Sequence, residues 1–165
     1  MFPHRVPGGA RVGDTLQTLF IKVDSSSEGP VQLDTDESYS LTVPAAGTAT
    51  LQAATVYGVL RGLETFSQLV QFNFSTRLYG IASAPWAIQD APRVTYRGVM
   101  IDTARHFMPV PFLQQILDGM AYSKLNVLHW HISDDQSFPM EMRSPGASRL
   151  WQGAFSPQSR YSGRY

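Results

Sequence analysis

The stretch Arg97-Gly98-Val99-Met100-Ile101-Asp102-Thr103-Ala104-Arg105-His106-Phe107, read with Leu125-Asn126-Val127-Leu128-His129-Trp130-His131-Ile132, decides the fold. Each begins as a short apolar run and ends among ionisable residues. Between them, Pro109 to Tyr122 carries Leu113, Ile116, Leu117, Met120 and Ala121 on one face at helical spacing. Pro109 and Pro111 stand at its start, where a missing backbone N–H costs nothing. Strand, helix, strand with short connections is a parallel βαβ unit. The chain from 93 to 165 is therefore expected to be α/β, with a loop-like tail from Ser133 to Tyr165 rich in Ser, Pro, Gly and Arg.

Upstream the rhythm differs. Ile81 to Pro92, carrying Pro85 and Pro92, reads as a linker and places a domain boundary near residue 92, with Trp86 as a plug against a neighbouring surface. Residues 1–92 read as a small α+β domain. Its clearest helix is Thr55 to Val70, with Val56, Val59, Leu60, Leu63, Phe66 and Val70 on one face; Arg61 and Glu64 read as a solvated pair. Tyr39, Leu41 and Val43 alternate with Ser38, Ser40 and Thr42, the pattern of a half-buried strand. Pro44-Ala45-Ala46-Gly47 turns it into a return strand, Thr48 to Ala53. Leu19 to Val23 is a further short strand, after a loose entry segment over residues 1–15.

Composition narrows the partners. The chain has 165 residues, 43% of them hydrophobic, and a formal net charge of +0. Those values describe a folded protein and give no reason to expect nucleic acid or an anionic membrane as a partner. No apolar run approaches the ~20 residues of a membrane span. Without cysteine there are no disulfides and no thiolate metal sites. The N-terminus lacks the apolar centre of a signal peptide. Asn73-Phe74-Ser75 is a glycosylation sequon, an acceptor only if the protein is secreted.

In parallel α/β folds, ligands bind where strands end. Asp102 and Arg105 follow the first strand. His129, His131, Asp134 and Asp135 surround the end of the second. An arginine with carboxylates grips neighbouring sugar hydroxyls at fixed angles, which an apolar pocket cannot do. Arg105 fits that role, and fits equally an ion pair with Asp102 or another nearby aspartate that holds the rim together. Asp134 and Asp135 fit a ligand-orienting role or the capping of the next turn. His129 and His131 fall in phase on the strand. They read as packing residues or, in the alternative of a metal-dependent hydrolase, as two ligands awaiting partners from elsewhere.

These residues also carry a resemblance. Arg97 to Phe107 is similar to the first barrel strand of the β-N-acetylhexosaminidases of glycoside hydrolase family 20. Met120 to His131, followed by Asp134-Asp135-Gln136-Ser137-Phe138-Pro139, is similar to their second strand and its loop. Val56 to Leu69 resembles a helix of their N-terminal domain, and the flavour is the plant or animal type. The resemblance implies an incomplete (β/α)8 TIM barrel, present here as its first two strands, preceded by a small α+β domain. It implies hydrolysis of terminal non-reducing N-acetylglucosamine or N-acetylgalactosamine, with retention and with the substrate's acetamido oxygen as nucleophile, an exception to the two-carboxylate rule.

The resemblance assigns Arg105 to the hydroxyls of the terminal sugar and Asp134 to orienting a histidine that contacts the catalytic glutamate. It implies no cofactor and no metal, and a parent that is often dimeric and is secreted, vacuolar, lysosomal or at the cell surface. The catalytic Asp-Glu pair belongs to a fourth strand, beyond Tyr165. Among Glu28, Glu37, Glu64 and Glu141, none sits in such a pair at a barrel rim. The expectation is a fragment, truncated at both ends as a gene model or splice product, with negligible hydrolase activity and a marginal barrel portion. Non-catalytic sugar binding through Arg105 and Asp134 is the alternative.

Overall fold

In the computed structural model, residues 4–5, 15–25, 29–142, 144–147 and 149–150 are described, and the chain falls into two units, Met1–Thr95 and Tyr96–Tyr165. The first unit holds strands β1 (His4–Arg5), β2 (Leu16–Val23), β3 (Tyr39–Val43) and β4 (Gly47–Ala53). Helix α1 (Val56–Leu69) and strands β5 (Val70–Asn73), β6 (Leu78–Ile81) and β7 (Trp86–Asp90) follow. Five strands make one sheet in the order β1-β7-β3-β4-β2, with β2 parallel to β4 and the other neighbours antiparallel. β5 and β6 form a separate hairpin.

The period-two pattern of β3 works as its sequence predicts. Tyr39, Leu41 and Val43 are buried while Thr42 is exposed. Leu41 faces Leu51 across the ladder, and both are fully buried; truncating either to alanine costs about 2–5 kcal/mol. Helix α1 covers this face. Thr55 is its N-cap: its hydroxyl accepts the Gly58 N–H at 3.1 Å and donates to the Asp36 carbonyl at 2.6 Å. Such a cap contributes about 1 kcal/mol.

The seat of α1 is made by glycines. Gly58 and Gly62 are buried on it, and a Cβ on Gly58 would overlap the Ser38 carbonyl oxygen and the Ala53 Cβ. On Gly62 it would overlap the Leu51 side chain. The helix backbone therefore lies directly on β3 and β4. Leu60, expected on the packed face, is 55% exposed. Arg61 pairs with Glu37 rather than with Glu64: its Nη2 lies 2.8 Å from Oε1 of the buried Glu37 carboxylate. Glu64 instead accepts from Gln68 Nε2 at 2.7 Å.

Four expectations differ from the structure. Residues 81–92 are not a linker, because Trp86–Asp90 is strand β7, between β1 and β3. Pro85 and Pro92 flank that strand, where a missing N–H breaks no ladder bond. Trp86 pairs with Val43 and packs on the core of its own sheet, its Nε1 donating to the Ala82 carbonyl at 2.9 Å. The helix ends at Leu69, and Val70 turns straight into the β5–β6 hairpin, which the sequence reading lacks. Within the segment read as a loose entry, His4 and Arg5 pair with Ala87 and Trp86.

The second unit contains β8 (Gly98–Asp102), α2 (Val110–Tyr122) and β9 (Val127–His131). β8 and β9 are parallel, in a register that pairs Gly98 with Val127 and Asp102 with His131. Asn126 clamps their entry: its Oδ1 accepts the Arg97 N–H at 2.9 Å, and its own N–H donates to the Arg97 carbonyl at 2.8 Å. Leu113 and Met120 are the buried residues of α2, whereas Leu117 is 47% exposed and Ala121 is exposed. The buried stripe is therefore narrower than the apolar one. Of the tail expected as loop, residues 151–165 lie outside the described residues.

Gly58→Ala tests the seat of α1. Alanine gains roughly 1 kcal/mol over glycine in a free helix, but here the Ser38 carbonyl must shift, an overpacking cost of about 1–3 kcal/mol or more. Urea unfolding is expected to show a lower midpoint for Gly58→Ala, while Leu60→Ala stays within about 0.5 kcal/mol of the parent.

Candidate functional site

The parallel register of β8 and β9 brings two strand ends together. Alternation then sorts their side chains: Met100, Asp102, His129 and His131 share one face, and Ile101, Thr103 and Trp130 the other. Ile101 and Thr103 are buried, and Met100 is 59% exposed. On the buried face Thr103 ties the two strand ends. Its N–H donates to the His131 carbonyl at 3.0 Å, and its hydroxyl accepts Trp130 Nε1–H at 2.8 Å and donates to the Ile132 carbonyl at 3.3 Å.

On the open face the polar groups converge. Asp102 opens a tight turn, its Oδ1 accepting the N–H groups of Ala104 and Arg105 at 3.0 and 3.2 Å. An aspartate closing a local turn in this way is common chemistry for the residue. The turn carries Arg105 back over the strand ends. Its Nη1 lies 2.8 Å from Asp102 Oδ2, and its Nη2 lies 2.6 Å from Asp134 Oδ2. One guanidinium thus spans both tips. Asp134 is fixed in turn: it exchanges two backbone bonds with Ser137, each at 3.0 Å, and its Oδ1 accepts the Asp135 N–H at 2.7 Å. Its Oδ2 also lies 3.0 Å from His131 Nε2.

These contacts set the charges. Partial burial pushes the Asp102 carboxyl up. The Arg105 N–H, the guanidinium bond and its charge, and the Ala104 N–H outweigh it and hold the group below the ordinary range. Asp134 is also lowered, first by the Asp135 N–H and then by His131, against some burial and with the Arg105 charge. Arg105 is raised, chiefly by its bond to Asp102. The cluster is therefore two carboxylates around one permanent cation, open to solvent on one side. It suits a ligand rich in hydroxyls, each of which both donates and accepts.

Arg105 and Asp134 are brought together. Arg105 holds the rim and still faces solvent; Asp134 caps its turn and also pairs across it. Asp135 is exposed; its N–H donates to Asp134 Oδ1, and its charge adds to those that raise Arg105. His131 turns to Asp134, and His129 is exposed two residues earlier. Among the described residues, no group of three or more His, Cys, Asp or Glu side chains is placed to hold a metal ion. Asn73 closes β5, exposed, with Oδ1 accepting the N–H groups of Ser75 and Thr76 at 2.9 and 3.1 Å. The sequence reading misses the Thr103–Trp130 tie and the His131–Asp134 pair. A signal for the latter exists: the two residues are three apart across a strand end.

Lowered carboxyls give a signed prediction. A depressed folded-state pKa contributes stability that is present above the ordinary carboxylate value, about 4, and is lost as pH falls through the folded value. Carboxyl-carbon NMR titration is expected to show Asp102 and Asp134 titrating below that value, and Arg105→Met is expected to move both upward.

Known proteins are similar to this chain. The sequence profile described as glycosyl hydrolase family 20, catalytic domain, matches residues 94–165, and one described as beta-acetyl hexosaminidase like matches residues 3–69. Beta-hexosaminidase 1 of Arabidopsis thaliana is 51% identical over 153 residues, covering 89% of this chain and 28% of that protein. The beta-hexosaminidase subunit beta of Mus musculus is 48% identical over 141 residues, covering 84% of this chain and 25% of that protein. A solved chitobiase from Flavobacterium johnsoniae superposes with a TM-score of 0.66 at 42% identity, covering 76% of this chain and 18% of that one. The chain thus spans 28% or less of the length of each of these relatives.

Proposed function

The chain belongs to glycosyl hydrolase family 20, a family of glycosidases, and from that premise we propose that it supplies the sugar-gripping rim of a β-N-acetylhexosaminidase. The substrate is a glycan ending in a non-reducing β-linked N-acetylglucosamine or N-acetylgalactosamine. Arg105 donates to adjacent hydroxyls of that terminal sugar through N–H groups in a fixed fork. Asp134 orients the acid–base machinery, and the reaction is substrate-assisted with retention. The observation that carries this reading is the Arg105 guanidinium held between Asp102 and Asp134 at the tips of two parallel strands.

In this reading β8, α2 and β9 are the first repeat of a (β/α)8 barrel, and Met1–Thr95 is its N-terminal companion. Exposed apolar side chains support it. Met100 on β8 and Val110, Phe112 and Leu117 on α2 are the kind of surface that further strands and helices cover in a closed barrel. The catalytic carboxylates come from such further elements, so the 165 residues alone turn nothing over. Nor does the rim alone bind well, because one arginine and one aspartate without pocket walls give little net affinity.

Replacing the matching 28% of the Arabidopsis enzyme with this chain tests the proposal. The chimaera is expected to release the chromophore from a chromogenic N-acetylglucosaminide, and Arg105→Met is expected to lower kcat/KM about 100-fold. The chain by itself is expected to give no turnover. A folded but inactive chimaera, or full activity from the chain alone, contradicts the reading.

A further inference from the structure

We propose that His131 is a positioning residue for the Arg105–Asp134 grip, its Nε2–H keeping the Asp134 carboxylate oriented when the guanidinium turns toward a sugar. The proposal rests on the reading of Arg105 given above and concerns a residue that reading does not use. Its starting point is a shared acceptor: Asp134 Oδ2 lies 2.6 Å from Arg105 Nη2 and 3.0 Å from His131 Nε2. An ionised carboxylate accepts and does not donate. The lowered Asp134 carboxyl is ionised at neutral pH, so the hydrogen shared with the histidine belongs to Nε2. That requirement fixes the tautomer of a neutral imidazole.

The arrangement has a reason in the demands on Arg105. A guanidinium that grips hydroxyls must loosen its hold on at least one rim carboxylate. Asp102 holds its other nitrogen, Nη1, at 2.8 Å, so Arg105 stays anchored if the Asp134 contact opens. Asp134 needs an equivalent anchor, or its freed oxygen would rotate after the cation. The Asp135 N–H fixes Oδ1, and the backbone exchange with Ser137 fixes the loop; His131 fixes Oδ2. The strand register makes this possible, since His131 is the direct partner of Asp102 and rises from the same face. Each member of the pair therefore keeps one charge-assisted bond after they separate.

The test is nitrogen-15 NMR of the histidine-labelled chain, recorded at a pH well above the ordinary histidine range. His131 is expected to carry its proton at Nε2 with Nδ1 unprotonated. Asp134→Ala is expected to abolish that preference. His131→Gln, which places an amide N–H near the Nε2 position, is expected to leave the Asp134 carboxyl titration where it stands, and His131→Ala to shift it upward. A wild-type spectrum dominated by the Nδ1–H tautomer overturns the proposal without any variant needing to fold. So does a preference that survives Asp134→Ala, or an Asp134 titration unmoved by His131→Ala. The sugar-gripping reading fails separately, if Arg105→Met leaves the turnover of the chimaera unchanged.

Discussion

Asp102 and His131 are direct partners across a parallel pair of strands, and the polar rim depends on that register. Alternation along each strand follows from it, so a slip of one residue would turn Asp102 or His131 to the buried face. With the register kept, Arg105 reaches both carboxylates from one turn, and Asp134 meets His131. Thr103 guards the register from the other side. It is fully buried and bonded to both the Trp130 side chain and the Ile132 carbonyl, so the strand ends cannot slide without breaking buried hydrogen bonds.

The first unit is organised by a different constraint. Its sheet buries one face under α1, and the helix approaches so closely that only a residue without a Cβ fits over Ser38. Leu41, Val43 and Leu51 fill the space beneath and are fully buried. Glu37 and Arg61 close the side of this contact with a largely buried ion pair, whose value lies in the geometry it fixes more than in net stability. In the second unit, α2 leaves Val110, Phe112 and Leu117 exposed.

How much of this is legible in the sequence depends on the range of the interaction. The βαβ unit is legible because its strands are apolar runs of the right length and its helix is periodic. The hairpin of β3 and β4 is legible because alternation and a Pro-Ala-Ala-Gly turn are local signals. Strand β7 is not, because Trp86–Asp90 alternates weakly and its flanking prolines look like a linker until its partner β3 is known. The glycine seat is hidden for a related reason: Gly58 and Gly62 weaken a helix in isolation, and their use appears only against Ser38 and Leu51. Arg105 and Asp134 stand out by position after strands, but their contact is not a sequence property. His131 is the clearest lesson. Residue type alone leaves packing and metal binding open, and the hydrogen bond to a residue three positions on depends on how the strand end folds.

The central claim is the register of β8 and β9, and the chain offers a clean background for testing it because it contains no cysteine. Met100 and His129 are partners on the open face, whereas Leu128 belongs to the opposite face. Neighbouring strands lie about 4.8 Å apart, within the span a disulfide bridges. Mild oxidation of the Met100→Cys, His129→Cys chain is predicted to give an intramolecular disulfide in high yield, and the Met100→Cys, Leu128→Cys chain little or none. Equal yields, or a preference for the second pair, would contradict the account.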